Sequence, residues 1–397
     1  MDMDKPIFVI NTGSESKKYA LFHNGVMAGM VRFETAGSAF HVKTCIGNEA
    51  HERTVTAKDF ENALAFAVGE FISSGLIRSF PEDVSAAGMR VVAPGTMFSA
   101  HRLVDRAYET ELAKTESIEP LHIRPVLAEM RSLRALAPQL TLCAVSDSAF
   151  HGTMPRAARL YGIPRSEAEG EFIRFGYHGL SFASLARALP SVFGSTPHKT
   201  ILCHLGGGGS IAALRGGKSI DTSMGYTPLE GLLMATRPGD IDAGLVLSLL
   251  RRFGGDVEKL EAYLYGSCGL LGISGKTGDI RELLLAEQSG DTAAADALAV
   301  YVYRIQKYIG SYAAALGGLD ALVFSGTVGE RSFVLRERIC KSLGFLSVEL
   351  DGEMNGREIE SSAALIGRES SRVKVAVIPT DEMAEIALEA AALLEKK

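Results

Sequence analysis

Four consecutive glycines, Gly206 to Gly209, separate the apolar run Ile201-Leu202-Cys203 from Ser210-Ile211-Ala212-Ala213-Leu214, and a second glycine turn follows at Gly216-Gly217. This order reads as strand, tight turn, strand, turn. Glycine lacks a Cβ, so the N–H groups of the first turn can converge on an anion and the chain can come close to a phosphate. The stretch Lys199 to Asp242 is therefore read as a phosphate-cradling hairpin, against the plain surface turn that an isolated glycine run could equally be. The N-terminus repeats the plan: Ile7-Phe8-Val9-Ile10 is a buried-strand run, Asn11 to Lys18 a small polar turn, Tyr19-Ala20-Leu21-Phe22 a second strand, and Asn24-Gly25 closes it. Two hairpins of one design predict an internal duplication, with the two turns facing one cleft and holding different parts of one phosphorylated ligand.

Two familiar glycine motifs fail here. Gly207, Gly209 and Ala212 fit G-x-G-x-x-A, but Gly216-Gly217 cuts short the helix that a dinucleotide site needs. Gly275-Lys276-Thr277 ends like a phosphate loop, yet Leu270 stands where its first glycine is required.

A length of 397 residues predicts two domains, with a boundary near residue 150. The net charge of −6, without a basic block, argues against nucleic acid or an anionic membrane as the main partner. Five cysteines without C-x-x-C pairing suit free thiols in a reducing compartment. The acidic start, Met1-Asp2-Met3-Asp4, is unlike a signal peptide, and no apolar run approaches membrane-spanning length, so a soluble, cytoplasmic protein is expected. Periodicity predicts helices over Ala57–Phe71, Ala107–Glu119, Ile123–Leu136, Asp256–Tyr265, Asp291–Leu316, Ser332–Leu343 and Glu382–Leu394. Further strands are expected at Val84–Val92, Leu140–Val145, Leu319–Ser325 and Val373–Ile378. The third of these runs into Gly326-Thr327-Val328-Gly329-Glu330, and Leu140–Val145 delivers Ser146-Asp147-Ser148 at its C-terminal end, where α/β sheets gather ligands.

From Asn11 to Glu382 run NTGSESKKYALF, MRVVAPG, EPLH, SDSAFHGTMP, FGYHGLS, HLGGGGSIAA, DTSMGYTPLEGLLMATRPGDID, GLLGISGKTGDIR, VFSGTVGER and VIPTDE. In composition and order they resemble the motifs of the acetate kinase family, within the superfamily of acetate and sugar kinases, Hsp70 and actin. The resemblance implies an α/β fold of two duplicated actin-like ATPase (ribonuclease H-like) domains around a central cleft. Residues 1–150, completed by a C-terminal helix 383–397, would form the first domain. Residues 151–382 would form the second, which binds nucleotide and makes a homodimer. It further implies Mg²⁺-dependent, reversible, direct in-line transfer of a phosphoryl group from ATP to acetate, giving acetyl phosphate and ADP. Propionate or butyrate as acceptor, a sugar kinase, and a nucleotide-binding homologue with weakened catalysis are the rival readings.

Such chemistry asks for positioning and charge stabilisation. Carried onto this chain, the resemblance makes Arg90, His122 and Pro228 substrate-binding, with Arg90 on the carboxylate, and makes Asp147, His178 and Arg237 catalytic. Arg237 would stabilise the transition state and His178 the transferring phosphoryl group. Either arginine alone would read as a solvated surface residue; a planar fork of donors suits both tasks. Asp147 is expected in an electrostatic or metal-linked role, because a carboxylate acceptor is already ionised and needs no strong base. Asn11 and Glu382 would hold the metal, a sparse set suited to magnesium. The nucleotide would lie against Ser14, Ser16 and Lys18 of the first turn and His204, Leu205, Gly206, Gly207 and Gly208 of the second. Asp279, Ile280 and Arg281, with Gly326, Thr327, Val328, Gly329 and Glu330, complete that set, while His151 is read as structural. The chain departs from the family's usual residues at Met89, Ala93, Pro94, Ile123, Gly207, Pro238, Thr327, Arg331 and Asp381. Three of these flank Arg90, which leaves the choice of acid to that strand end.

Overall fold

Each of the two hairpins read from the sequence is the start of a sheet. The computed structural model describes residues 5–13, 16–36, 39–168, 172–358 and 362–396. The chain divides into two compact units, Met1–Ala149 with Asp381–Lys397, and Phe150–Thr380. Glu382 thus belongs to the first unit, whereas the sequence reading closes the second domain after it.

In the first unit, β1 (Ile7–Thr12) pairs antiparallel with β2 (Ser16–His23), and the sheet continues outward through β3 (Val26–Ala36), β4 (Ala39–Ile46) and β5 (Glu49–Val55). On its other side β1 runs parallel to β6 (Ala86–Val91), followed by β8 (Leu142–Ser146), with the two-residue β7 (Arg102–Leu103) at the edge. In the second unit β9 (Lys199–Leu205) pairs antiparallel with β10 (Gly209–Arg215), which pairs with β11 (Lys218–Thr222). β12 (Ala321–Ser325) and β14 (Lys374–Val377) extend the sheet in parallel, and β13 (Ala364–Leu365) ends it. Leaving out the added edge strands, both sheets run third, second, first, fourth, fifth, which is the duplication expected from the hairpins.

The central strands β1, β8 and β12 are buried at every residue, because helices cover both faces of the parallel part of each sheet. In the first unit Phe8, Ile10, Ala87, Met89 and Val91 form one core with residues of the helices Ala63–Ser73 and Pro120–Leu136. The opposite face receives the C-terminal helix Glu382–Glu395, which lies so close that a Cβ on Gly88 would stand 2.9 Å from Cβ of Ala390. In the second unit the 25-residue helix Thr292–Leu316 covers the face bearing Cys203, Leu205, Ile211 and Phe324. Helix Gly179–Phe193 covers the face bearing Leu202, Ala212 and Val323.

One local expectation is corrected. The helix read over Ala57–Phe71 is two helices, Ala57–Glu61 and Ala63–Ser73. Asn62 divides them: its side-chain amide donates to Lys58 O at 2.8 Å and closes the first helix with a local hydrogen bond. Gly326 to Glu330, into which β12 runs, lies in a short helix, Gly326–Arg331, whose start is held by the Glu330 carboxylate accepting from the Gly326 N–H at 2.9 Å. Among the described residues no helix is long and apolar enough to cross a membrane, and all five cysteines are free.

Candidate active site

Successive side chains on a strand point to opposite faces, and this alternation selects the polar cluster of the first unit. With Phe8 and Ile10 in the core, Asn11 takes the face of the C-terminal helix; with Met89 and Val91 in the core, so does Arg90. Glu382 is the first residue of that helix. Its Oε2 accepts from Asn11 Nδ2 at 3.0 Å and from Arg90 Nη1 at 3.2 Å. Arg90 Nη1 also comes within 3.5 Å of Asn11 Oδ1. Asp147, just past the end of β8, takes the other edge of the guanidinium in a bidentate pair, Nε to Oδ1 at 3.2 Å and Nη2 to Oδ2 at 3.0 Å. Asp147 is fully buried, and the Arg90 side chain is 19% exposed. Burial by itself would lower the Arg90 pKa, but Asp147 and Glu382 outweigh it and hold the guanidinium protonated.

Lys18 stands directly across from Asn11 in the β1–β2 register, hence on the same face. Burial lowers its pKa, an effect that Glu382 opposes. Its neighbour Lys17 points the other way and pairs with Glu129 at 3.0 Å, where Tyr19 Oη also donates at 2.9 Å. These contacts fix which lysine of the pair joins the cluster. The formal charges of Arg90, Lys18, Asp147 and Glu382 cancel. The first turn closes through the Gly13 N–H donating to Ser16 O at 2.8 Å, and Ser14 lies outside the described residues. His122, in the first turn of helix Pro120–Leu136, has its Nδ1 2.7 Å from Oε1 of the buried Glu119.

In the second unit the turn between β9 and β10 spans Gly206–Gly208, with Gly207 exposed. A Cβ on Gly208 would lie 3.1 Å from Arg237 Nη2 and 3.6 Å from His178 Nε2, so the arginine, the histidine and the turn meet at one point. His178 has φ 57°, the left-handed region that a non-glycine residue rarely takes, at the start of helix Gly179–Phe193. Its Nδ1 is 2.9 Å from Ser210 Oγ, and its ring lies 4.5 Å from that of His204. His204 Nδ1 is in turn 2.7 Å from Ser181 Oγ, and both serines are fully buried. Arg237 Nη1 donates to Pro228 O at 3.1 Å.

The remaining predicted nucleotide residues adjoin this turn. Gly326, at φ +75°, comes so close to β9 that a Cβ would stand 2.6 Å from Leu205 O. Thr327 and Val328 follow it in the short helix, and the buried Arg336 donates to the carbonyls of Gly329 and Glu330 at 2.9 and 2.7 Å. Ala235 N–H donates to Gly207 O at 3.0 Å, and Ala235 O is packed against Gly278, next to Asp279. Asp279 caps the helix Ile280–Gln288 and binds Arg281 through Nε at 3.1 Å and Nη2 at 2.6 Å. His151 is buried between Ser219 Oγ at 2.9 Å and Tyr177 O at 3.1 Å, a structural placement.

Residues 6–388 match the Acetokinase family. The chain belongs to the acetokinase family. An acetate kinase of Bacteroides thetaiotaomicron is 40% identical over 403 residues, covering 98% of this chain and all of that one. The acetate kinase 2 of Clostridium perfringens is 35% identical over 98% of this chain and all of its own length. Among solved structures, Porphyromonas gingivalis acetate kinase superposes with a TM-score of 0.84 at 32% identity over 98% of this chain and all of that one. A Francisella tularensis propionate kinase gives 0.86 at 30% identity, over 97% and 98%. The two-sheet fold is accordingly the duplicated actin-like ATPase fold.

Membership in the acetokinase family implies ATP or ADP and a divalent metal, and the residues fit both. Asn11 and Glu382 offer oxygen donors only. Among the described residues no group of three or more His, Cys, Asp or Glu could enclose an ion. One carboxylate and one amide suit a hard cation that keeps most of its water. The sequence reading missed Ser210, Ser181, Glu119 and Arg336, which orient the predicted residues from one layer behind. Only Glu119 carried a signal, its i, i+3 spacing from His122 within EPLH.

Proposed function

We propose that the chain is an acetate kinase: it transfers the γ-phosphoryl group of ATP directly to acetate, reversibly, giving acetyl phosphate and ADP. The observation that carries this reading is the convergence of Arg237 and His178 on Gly208 in the glycine turn. A guanidinium and an imidazole set beside a run of backbone N–H groups suit charge spreading over the equatorial oxygens of a phosphoryl group in transfer. The His204–Gly208 turn cradles the nucleotide phosphates, with Asp279 to Arg281 and Gly326 to Glu330 on the adenosine side. Pro228 fixes Arg237 through its carbonyl.

In the first unit Arg90 orients the acceptor carboxylate. Asp147 occupies the Nε–Nη2 edge of its guanidinium and Glu382 holds Nη1 at 3.2 Å, so the acceptor carboxylate competes with Glu382 for the Nη1 end. Because Asp147 is buried in this bidentate pair, it is poorly placed to take a proton from an alcohol, and this supports an acid over a sugar as acceptor. The metal we propose is Mg²⁺, which Glu382 and Asn11 would hold. When bound it would supply positive charge that stabilises the transferring phosphoryl group. Glu382 would then share its charge away from Arg90, turning a formally neutral cluster into one that attracts an anion. Lys18 is the second cation of that cluster, and His122, braced by Glu119, lines the substrate.

The structural likeness to a propionate kinase makes propionate the second candidate acceptor. A homodimer is supported by helix Ala243–Arg252, which buries none of its residues and leaves Leu245 and Leu247 about half exposed. Free cysteines support a cytoplasmic setting. The test is a hydroxamate assay with ATP, Mg²⁺ and acids of two to four carbons. The expected result is acyl hydroxamate, with kcat/KM falling as the acid lengthens. A maximum at propionate or butyrate would reassign the acceptor, and no hydroxamate with any acid would refute a carboxylate kinase.

A further inference from the structure

The turn that carries Asp147 is fastened by side chains that the reaction does not use. Three successive N–H groups are tied down there: Ser146 to His101 Nδ1 at 3.1 Å, Asp147 to Val91 O at 2.9 Å, and Ser148 to Ser146 Oγ at 3.1 Å. Ser146 Oγ also donates to Phe98 O. Two of these anchors, Phe98 and His101, lie on the segment that returns from Val92–Gly95, the strand end beside Arg90, and pairs through β7 with β8. On its far side His101 Nε2 is 3.6 Å from Glu389, about two turns along the helix that begins at Glu382. One imidazole therefore touches both the turn bearing Asp147 and the helix bearing Glu382, the two carboxylates that grip Arg90.

We propose that His101 and Ser146 are positioning residues, a staple that sets Asp147 and Glu382 around Arg90 and so governs affinity for the carboxylate substrate. The proposal rests on the reading of Arg90 as the carboxylate-binding arginine. Because Nδ1 accepts the Ser146 N–H, the ring proton sits on Nε2, facing the Glu389 carboxylate. Burial pushes the His101 pKa down to about 4, so the ring is neutral at pH 7, as this bonding requires. Removing the ring would leave a fully buried N–H at Ser146 without its acceptor, and the turn would shift to recover one.

The test compares His101→Ala, His101→Asn, Ser146→Ala and Arg90→Lys by steady-state kinetics and thermal unfolding. An asparagine Oδ1 can stand where Nδ1 accepts. The expected result for His101→Ala is a carboxylate KM raised roughly tenfold, the worth of one buried hydrogen bond, with the nucleotide KM within about twofold. His101→Asn should recover most of that loss, and Ser146→Ala, which keeps the His101 contact but cuts the other two, should show the same split. Lowered melting temperature with both KM values unchanged in the His101 and Ser146 variants would overturn the staple while leaving Arg90 in place. An unchanged carboxylate KM in Arg90→Lys would instead overturn the assignment of Arg90, and the staple's purpose with it. If His101→Ala does not fold, His101→Asn and Ser146→Ala decide the matter by the same KM comparison.

Discussion

Replacing Asp147 by asparagine keeps the shape of the side chain and removes its charge, which isolates what the bidentate pair with Arg90 contributes. The two bonds of that pair, at 3.2 and 3.0 Å, join a fully buried carboxylate to a guanidinium that is 19% exposed. An asparagine would retain one acceptor and turn an N–H₂ group against an Arg90 donor, so one bond becomes a repulsion. Breaking one partner of a buried pair costs about 3–5 kcal/mol. Arg90 keeps Glu382 and some water, which places the effect at the lower end, about 3 kcal/mol, or roughly 150-fold in kcat/KM. The assay is hydroxamate formation with acetate varied at saturating ATP, then with ATP varied at saturating acetate. The loss should fall on kcat/KM for acetate, with the nucleotide KM within about twofold and an unchanged circular dichroism spectrum. A variant within about threefold of the parent enzyme on acetate would show that Asp147 does not organise Arg90, and the reasoning from the pair would fail.

Ser210→Ala should remove the hydroxyl that orients His178 through Nδ1. The expected loss is about 10- to 100-fold in kcat with both KM values nearly unchanged, measured in the same assay, because the interaction matters only during transfer. Stability should also fall as the medium is acidified, through His101. Its ordinary pKa of 6.5 drops to about 4 in the folded chain, mainly by burial, with Glu385 opposing the shift and Lys396 adding to it, and with Glu389 beside the ring. The folded-state pKa is depressed, so between pH 6.5 and 4 the unfolded chain binds a proton that the folded chain refuses. This contribution is whole above pH 6.5 and is lost as pH falls to 4, about 3 kcal/mol at most. Urea unfolding across that range should show the parent protein losing more stability than His101→Asn; equal slopes would contradict it. Leu247→Glu, on the unburied helix Ala243–Arg252, should convert a dimer to a monomer in light scattering.

The paired hairpins were legible because glycine and small polar residues between apolar runs leave few backbone choices. They led directly to two sheets of the same strand order. The outward strands β3 to β5 were not read: Glu49–Val55 is almost wholly exposed and carries no alternating pattern. Helix Gly179–Phe193 was also missed, because it starts from His178 in a left-handed conformation with no side-chain cap and contains Pro190. The short helix at Gly326 resembles a glycine turn in sequence; it is a helix because the Glu330 carboxylate, four residues on, caps its start. The cluster of Asn11, Arg90, Asp147 and Glu382 comes from four segments, and no spacing along the chain foretells it. Family motifs supplied those names, while strand alternation explains why the four share one face. Ser210 and Ser181 could not be found by any pattern, since a buried serine beside a histidine looks in sequence like any other small residue.

The central claim is that Arg237, set against the glycine turn, stabilises the phosphoryl group during transfer. Arg237→Ala, assayed for acetyl hydroxamate and for ADP binding by calorimetry, tests it most directly. The account predicts a kcat lower by roughly 10³-fold or more with ADP affinity within a few-fold of the parent. Turnover near that of the parent enzyme would contradict it.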